Sequence, residues 1–283
     1  MNDPLLFLFP RLAEAHAAAL PILLLYYAAV GACLGSFLNV CVYRIPLGLS
    51  VLRPPSSCAA CGRPIPIRYN IPIFGWLWLR GQSACCRTPI DARYFWVELL
   101  SALVLPALFL RYAWPEALAY GFFFFLLAAA SLIDLDHFLI PDRISWGGMA
   151  AGVALGALLP SLHGEASALG GFNAALRGAF WGGAVLWLVV LAGAKAFKKE
   201  AMGLGDVKFL AAIGAFLGWR SVFFVVAVSS ILGSLYGLLM LLRRRSIWGT
   251  RIPYGPFLAL AAALWLFGGK ELATALWRGW TVR

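Results

Sequence analysis

The chain has 283 residues, of which 62% are hydrophobic and 12% are charged, and its mean hydropathy is +0.84. Soluble domains carry about 25% charged residues, so this composition excludes a soluble enzyme, a disordered chain and a disulfide-rich miniprotein. It indicates a polytopic membrane protein. The net charge of +11 does not indicate nucleic-acid binding, because the basic residues lie between apolar runs, where they set membrane orientation.

Apolar runs of about 20 residues, the length at which a helix crosses about 30 Å of hydrocarbon, recur along the whole chain. They predict an all-α polytopic fold with about eight transmembrane helices. The least marked boundary falls near Trp219–Ser221. The predicted helices are residues 18–43, 95–114, 117–135, 144–160, 174–197, 205–219, 221–242 and 254–269.

Basic residues predict the orientation of these helices. If residues 44–94 lie in the cytoplasm, 16 of the 23 Lys and Arg residues lie on that side. The positive-inside rule therefore favours a cytoplasmic location for this segment and places both termini outside. The residues counted inside are Arg44, Arg53, Arg63, Arg68, Arg80, Arg87, Arg93, Arg143, Lys195, Lys198, Lys199, Lys208, Arg243, Arg244, Arg245 and Arg251.

The predicted domains are a first transmembrane helix at 18–43, a small cytoplasmic cysteine-containing domain at 44–94 and a membrane-embedded domain at 95–269. Four of the six cysteines fall in the middle segment: Cys58, Cys61, Cys85 and Cys86. In a reducing compartment such a set favours a tetrahedral zinc site over disulfides. The spacing is broken, because Ser83 stands where a second Cys-x-x-Cys would begin, so structural or redox thiols remain the alternative.

Two aspartates lie at membrane depths where a charge is costly. Asp134 closes the third predicted helix in the run Ser-Leu-Ile-Asp-Leu-Asp-His, and Asp206 opens the sixth in Gly-Leu-Gly-Asp-Val-Lys. Ionisable groups at such positions are candidates for function. Two carboxylates on one face share a proton, so that one activates water while the other polarises a carbonyl. This pattern predicts aspartic peptidase chemistry.

Neighbouring polar residues have structural interpretations. Asp136 is interpreted as solvated or supporting, Asp142 as the N-cap of the fourth helix, and His137 as an interfacial side chain rather than part of a metal cluster. Asn39 is expected to form an interhelical hydrogen bond. Glu98, near the start of the second helix, is a further site candidate.

Five motifs in order resemble those of type IV prepilin peptidases, bacterial members of the GxGD aspartic peptidases. The resemblance extends nearly from end to end. The motifs are Gly35-Ser-Phe-Leu-Asn39-Val with Arg44-Ile-Pro46, the cysteine segment with Arg93-Tyr94 and Val97-Glu98-Leu, Ile-Asp134-Leu-Asp-His with Ile-Pro-Asp142, Gly-Leu-Gly-Asp206-Val-Lys, and Ile252-Pro-Tyr-Gly255-Pro.

The resemblance implies an enzyme of the bacterial inner membrane with Asp134 and Asp206 as its catalytic aspartates. Such an enzyme removes the basic leader of type IV prepilins or type II secretion pseudopilins on the cytoplasmic side, cutting after a glycine that precedes the substrate's hydrophobic helix. It also implies N-methylation of the new N-terminus with S-adenosylmethionine, associated with the cytoplasmic domain. The altered cysteine pattern departs from the family's paired Cys-x-x-Cys elements.

Two other classes of membrane protein remain as alternatives. In a transporter, Asp134, Asp136 and Asp206 would bind a cation or relay protons, but the inverted repeat typical of many transporters is not evident. A thiol redox protein would carry reactive cysteines near the outer face, whereas these four are predicted inside. Cleavage of a prepilin without an ion gradient would distinguish a peptidase from both.

Overall fold

The computed structural model describes residues 19–197, 203–243 and 252–281. These residues are mostly helical and contain no β-strand, only two isolated bridges. The chain divides into two compact units, Met1–Gly121 and Phe122–Arg283, which are described separately below.

The first unit pairs two long helices. Its elements are α1 (Leu20–Arg44), a 3₁₀ turn (Ile67–Tyr69), α2 (Phe74–Trp78) and α3 (Ala92–Arg111). Helices α1 and α3 pack closely because Gly31 has no side chain, and a Cβ there would overlap the carbonyl of Ser101. Asn39 of α1 donates a hydrogen bond from Nδ2 to the carbonyl of Tyr94 at 3.3 Å. This contact confirms the interhelical bond expected of Asn39.

The second unit is a helix bundle. It contains the C-terminal part of α4 (Trp114–His137), followed by α5 (Asp142–Leu158), α6 (Ala168–Phe197), α7 (Leu204–Leu217), α8 (Trp219–Leu242), α9 (Gly255–Leu264), a π-helical turn (Trp265–Gly269) and α10 (Lys270–Thr281). Gly178 of α6 lies against the backbone of Gly214 in α7. Phe123 of α4 stacks on Phe216 of α7 at 4.5 Å between ring centroids. Helix α7 is therefore packed against its neighbours along most of its length.

Each of the eight apolar runs predicted from the sequence overlaps a helix within the described residues. Six described helices are long and apolar enough to cross a membrane: Leu20–Arg44, Ala92–Arg111, Trp114–His137, Ala168–Lys195, Trp219–Leu242 and Gly255–Ala275. Helices α5 and α7 are shorter, with 17 and 14 residues. Helix α7 ends early because Gly218 adopts a φ of 81°, a conformation that favours glycine. A count of eight spans stays a prediction.

The structure corrects one capping assignment. Asp142 is the first residue of α5, and its N-cap is Pro141, so the prediction that Asp142 caps this helix was wrong. A preceding proline already provides the extended backbone that a helix start requires, and Asp142 instead accepts a hydrogen bond from Lys208 at 2.7 Å.

Five of the basic residues used to predict the membrane orientation lie outside the described residues: Lys198, Lys199, Arg244, Arg245 and Arg251.

Candidate active site

Asp134 lies in the last turn of α4 and is 5% exposed. Its Oδ2 accepts a buried hydrogen bond from the backbone N–H of Gly255 at 2.9 Å. Gly255 is the first residue of α9, so the donor belongs to a helix N-terminus, where unpaired N–H groups and the helix dipole favour negative charge. The fold thus provides an anion-stabilising partner for this buried carboxylate.

Asp206 lies in the first turn of α7 and is half-buried. Gly203 is the N-cap of this helix, and its carbonyl accepts the N–H of Asp206 at 3.3 Å. The carboxyl groups of Asp206 and Asp134 interact electrostatically. The structure therefore brings the two sequence-predicted aspartates within electrostatic range of each other, although 72 positions separate them in the chain.

Ile140, in the connection after α4, links the surroundings of the two aspartates. A Cβ at Gly205 would lie 3.5 Å from the Cβ of Ile140, and a Cβ at Gly255 would lie 3.2 Å from its Cδ1. The buried Ile140 side chain therefore packs between the residue that precedes Asp206 and the residue that binds Asp134. The end of α4 and the starts of α7 and α9 meet at this point.

An ion pair lies at the same end of the bundle. The Nζ of Lys208 in α7 lies 2.7 Å from Oδ1 of Asp142 in α5, and 6.0 Å from the centre of the Trp146 ring. Asp136 and His137, in contrast, are exposed at the end of α4. Lys208 and Asp142 therefore connect α7 with α5 beside the two aspartates.

Glu98 belongs to the first unit, where it binds the backbone of Ile73. It is buried, and its Oε2 accepts the N–H of Ile73 at 2.7 Å, while the Ser36 side chain also hydrogen-bonds with it. The structure therefore places this candidate at the junction of α1, α3 and the cysteine-bearing segment. Its hydrogen bond holds the backbone at Ile73, just before α2.

The backbone amide of Gly255 has no role that the sequence predicted. Backbone donors carry no side-chain signal. The available hint was the Tyr-Gly-Pro run before the last apolar segment, because a glycine and a proline at a helix start leave free N–H groups and space for a partner.

The cysteine segment folds into two similar turns. In the first, the N–H of Gly62 bonds to the carbonyl of Cys58 and the N–H of Cys58 to that of Arg63. In the second, the N–H of Arg87 bonds to the carbonyl of Ser83 and the N–H of Ser83 to that of Thr88. Ser83 thus occupies the place of Cys58, and Cys86 that of Cys61. Cys85 is the additional thiol.

The four sulfur atoms converge. All four lie within 4.8 Å of one another, with Sγ–Sγ distances of 3.1 Å for Cys61–Cys85, 3.6 Å for Cys58–Cys86 and 3.9 Å for Cys85–Cys86. Zn–S bonds of about 2.3 Å in a tetrahedron place sulfurs about 3.8 Å apart. The geometry of the four thiols therefore fits a zinc ion.

The remaining polar groups of the turns surround these sulfurs. The hydroxyl of Ser83, followed by that of Thr88, lowers the pKa of the Cys86 thiol to about 6. The backbone N–H of Cys61 is the main cause of a lowered pKa at Cys58. Hydrogen bonds of this kind stabilise thiolates, the form of cysteine that binds metals.

Comparison with known protein families accounts for most of the chain. Residues 29–112 match the model of the bacterial peptidase A24 N-terminal domain, and residues 121–238 match that of the type IV leader peptidase family. The chain belongs to the type IV leader peptidase family. Asp134, Asp206 and Gly205 all fall within the second match.

Curated relatives extend this family assignment over most of the chain. A prepilin leader peptidase/N-methyltransferase of Aeromonas hydrophila is 37% identical over 269 residues, covering 84% of this chain and 88% of the relative. One from Pseudomonas putida is 35% identical over 269 residues, covering 86% and 90%. One from Pseudomonas aeruginosa is 34% identical, covering 86% and 89%. No solved structure matched the chain.

Proposed function

We propose that this chain is a membrane-embedded aspartic endopeptidase that removes the leader from type IV prepilins or type II secretion pseudopilins. The observation that carries the proposal is the meeting of Asp134 and Asp206 at one end of a helix bundle in a member of the leader peptidase family. The transporter alternative receives no support from the relatives, whose names all specify a peptidase and methyltransferase.

Asp134 and Asp206 would act as a pair that shares one proton. Two carboxylates that interact at one site cannot both ionise readily. The ionised member takes a proton from water as the water attacks the scissile carbonyl, and the protonated member donates a hydrogen bond to the carbonyl oxygen. The products are a free amine on the pilin and a carboxyl group on the leader, which ionises by releasing the second proton of the water to solvent. The pair regains its starting protonation when the leaving amine takes up a proton.

The surroundings of the aspartates distinguish their roles. Asp134 accepts the Gly255 N–H at the start of α9, and a helix N-terminus stabilises an anion. Asp206 interacts electrostatically with Asp134 and is the more exposed of the two. In this proposal Asp134 is the ionised base and Asp206 holds the shared proton toward the substrate.

The proposed location is the cytoplasmic face of the inner membrane. The end of α4 and the starts of α7 and α9 meet at the site. Under the orientation favoured by the basic residues, these helix ends all face the cytoplasm. A prepilin carries its leader on this side. The cut would then fall at the membrane edge, just before the substrate's hydrophobic helix.

The relatives' names also include N-methyltransferase, and we propose the same second activity here. S-adenosylmethionine would supply an electrophilic methyl group to the amine that cleavage exposes. No residue of this chain is assigned to its binding. The activity is defined by its product, a pilin one methyl group heavier at its N-terminus.

We propose that Cys58, Cys61, Cys85 and Cys86 hold one structural zinc ion. The support is the convergence of the four sulfurs at tetrahedral spacing. Residues 45–90 contain no acidic residue, and their helical elements are one 3₁₀ turn and the five-residue α2. A metal would add a direct link between the two cysteine turns. Such structural zinc sites contribute folding energy directly.

The test of the function is cleavage by the purified protein in vesicles. With a prepilin and S-adenosylmethionine, the pilin is expected to lose its leader and gain one methyl mass in the intact mass spectrum. Cleavage should persist with an ionophore present, because hydrolysis needs no gradient. Without S-adenosylmethionine, cleavage should continue and the methyl mass should be absent. Intact prepilin after incubation with several prepilins and pseudopilins would contradict the proposal.

Metal content tests the cysteine assignment. The purified wild type is expected to contain about one zinc per chain by elemental mass spectrometry. Cys58→Ser and Cys85→Ser should each lower this at least about tenfold, because three thiolates hold zinc much less tightly than four. Cys33→Ser, a change to an exposed thiol in α1, is the matched control and should retain zinc. Full zinc in Cys85→Ser would remove that residue from the ligand set.

A further inference from the structure

Helix α2 presents large apolar side chains away from the rest of its unit. Phe74, Leu77 and Trp78 are 67%, 50% and 75% exposed. Their spacing of three and four residues puts them on one face of the helix. Three large exposed residues on a helix of five form a continuous patch, whereas isolated exposed apolar residues are ordinary.

The opposite face of α2 is fixed to α3. Gly75 is buried against the carbonyl of Tyr69. The Trp76 indole donates to the carbonyl of Ile90 at 3.3 Å and lies 5.2 Å from the Phe95 ring. The orientation of the exposed apolar face is therefore set by packing and hydrogen bonds on the other side of the helix.

A strained turn leads into α2. Ile73 has a φ of 66° and a ψ of −57°, and the N–H of Phe74 bonds to the carbonyl of Pro72 at 2.7 Å, which defines a γ-turn of the rare, strained type. Such a conformation is costly for a β-branched residue. The buried carboxylate of Glu98 stabilises it by accepting the Ile73 N–H at 2.7 Å.

These contacts set the level of α2 along a membrane-spanning helix. Helix α3 has 20 residues and is about 30 Å long, the thickness of the hydrocarbon core. Glu98 lies about 9 Å along it from Ala92, at a rise of 1.5 Å per residue. Because Glu98 and Phe95 hold Ile73 and Trp76, α2 lies near the level at which α3 enters the bilayer.

The charge of the surrounding segment favours one kind of surface. Residues 45–90 contain no Asp, Glu or Lys, and their charged residues are Arg53, Arg63, Arg68, Arg80 and Arg87. Arg68 and Arg80, which flank α2 in the sequence, are both exposed. Aromatic residues beside basic ones are typical of membrane interfaces, and arginines attract anionic lipid headgroups. A basic leader peptide would be repelled by the same charge.

We propose that α2 is an interfacial anchor. Phe74, Leu77 and Trp78 insert into the headgroup–acyl boundary of an anionic bilayer, and Arg68 and Arg80 bind lipid phosphates. The cysteine-bearing turns are thereby held against the membrane surface at a third point, in addition to the ends of α1 and α3. This inference depends on the membrane insertion of α1 and α3 and is independent of the peptidase activity.

Photocrosslinking of the full chain tests the anchor. The variant Trp78→p-benzoylphenylalanine, reconstituted with phosphatidylethanolamine and 25% phosphatidylglycerol, is irradiated and its adducts are identified by mass. Lipid adducts are expected at least fivefold above those of the control Ala60→p-benzoylphenylalanine, an exposed position in the first cysteine turn. The phosphatidylglycerol share of the adducts should be at least twice its share in the vesicle. It should fall to the bulk share when Arg68→Gln and Arg80→Gln are added.

Other outcomes would overturn the proposal. Equal lipid adducts at positions 78 and 60 would show that α2 is not specifically anchored. An adduct at position 78 to a second copy of the chain, or to an added prepilin, in place of lipid would identify a protein surface. If phosphatidylglycerol made up the same share of the adducts as of the vesicle, α2 would have no preference for anionic lipid. The variants' folding is checked by zinc content, and position 78 tolerates an aromatic replacement because Trp78 is 75% exposed.

Discussion

Asp134→Asn and Asp206→Asn are each expected to lower leader cleavage by about a thousandfold or more. An amide cannot take a proton from water, and it cannot share one with the other carboxyl group. General acid–base groups contribute about 10² to 10⁴ in rate. Asp134→Asn removes the base, and Asp206→Asn removes the carboxyl group that holds the shared proton. The measurement is single-turnover cleavage of a prepilin, followed by intact mass of the product over hours rather than minutes.

Asp136→Asn is the matched control for these two changes. It removes the same charge two residues from Asp134, at an exposed position, and cleavage should stay within about threefold of wild type. Each variant's helical content and thermal unfolding show whether it is folded. A folded Asp134→Asn or Asp206→Asn that cleaves at the control rate would exclude that aspartate from the chemistry.

Hydropathy was sufficient to predict the eight apolar helices, because a run of about 20 apolar residues has few other stable forms in a bilayer. It did not predict α2 or α10, which lie outside those runs. Every predicted run overlaps a helix within the described residues, including the two runs divided near Trp219–Ser221, where Gly218 separates α7 from α8. The sixth predicted run, residues 205–219, is 15 residues long and agrees with the 14 residues of α7. The runs did not show that α7 packs against α5 and α6, because a sliding window does not register contacts between helices.

The candidate site was predictable from its acidic residues and unpredictable in its backbone contacts. Charges are rare and costly at membrane depth, so Asp134 and Asp206 could be singled out from the sequence. The bond from Gly255 to Asp134 joins residues 121 positions apart and depends on the packing of α9 against the bundle. The spacing of the cysteines already predicted that Ser83 stands where a second Cys-x-x-Cys would begin. The structure adds that the sulfur of Cys85 lies 3.1 Å from that of Cys61, a distance that spacing alone does not give.

Gly255→Ala is expected to lower cleavage by about a hundredfold with little loss of folded protein. A Cβ at this position would lie 2.8 Å from Oδ2 and 3.3 Å from Cβ of Asp134, so either the carboxylate or the start of α9 must move. Displacements of about 1 Å at a catalytic group cost about 10² in rate. The backbone at Gly255 is not in the left-handed region, and alanine is a good helix former, so the effect arises from lost space. The measurement is kcat and KM for a prepilin peptide, with the loss expected in kcat.

Gly237→Ala separates this local effect from a general effect of adding a methyl group to a helix. Gly237 lies in α8, and a Cβ there would have nothing within 4 Å, so this variant should cleave at the wild-type rate. If Gly255→Ala also cleaves at that rate, the contact between the start of α9 and Asp134 tolerates a methyl group, and the expected effect of lost space is wrong. If Gly255→Ala loses its folded state as well as its activity, the loss of cleavage arises from unfolding, which contradicts the expected local effect. A loss of kcat in a protein with unchanged thermal unfolding would show that the start of α9 acts on the chemistry through the Asp134 carboxylate.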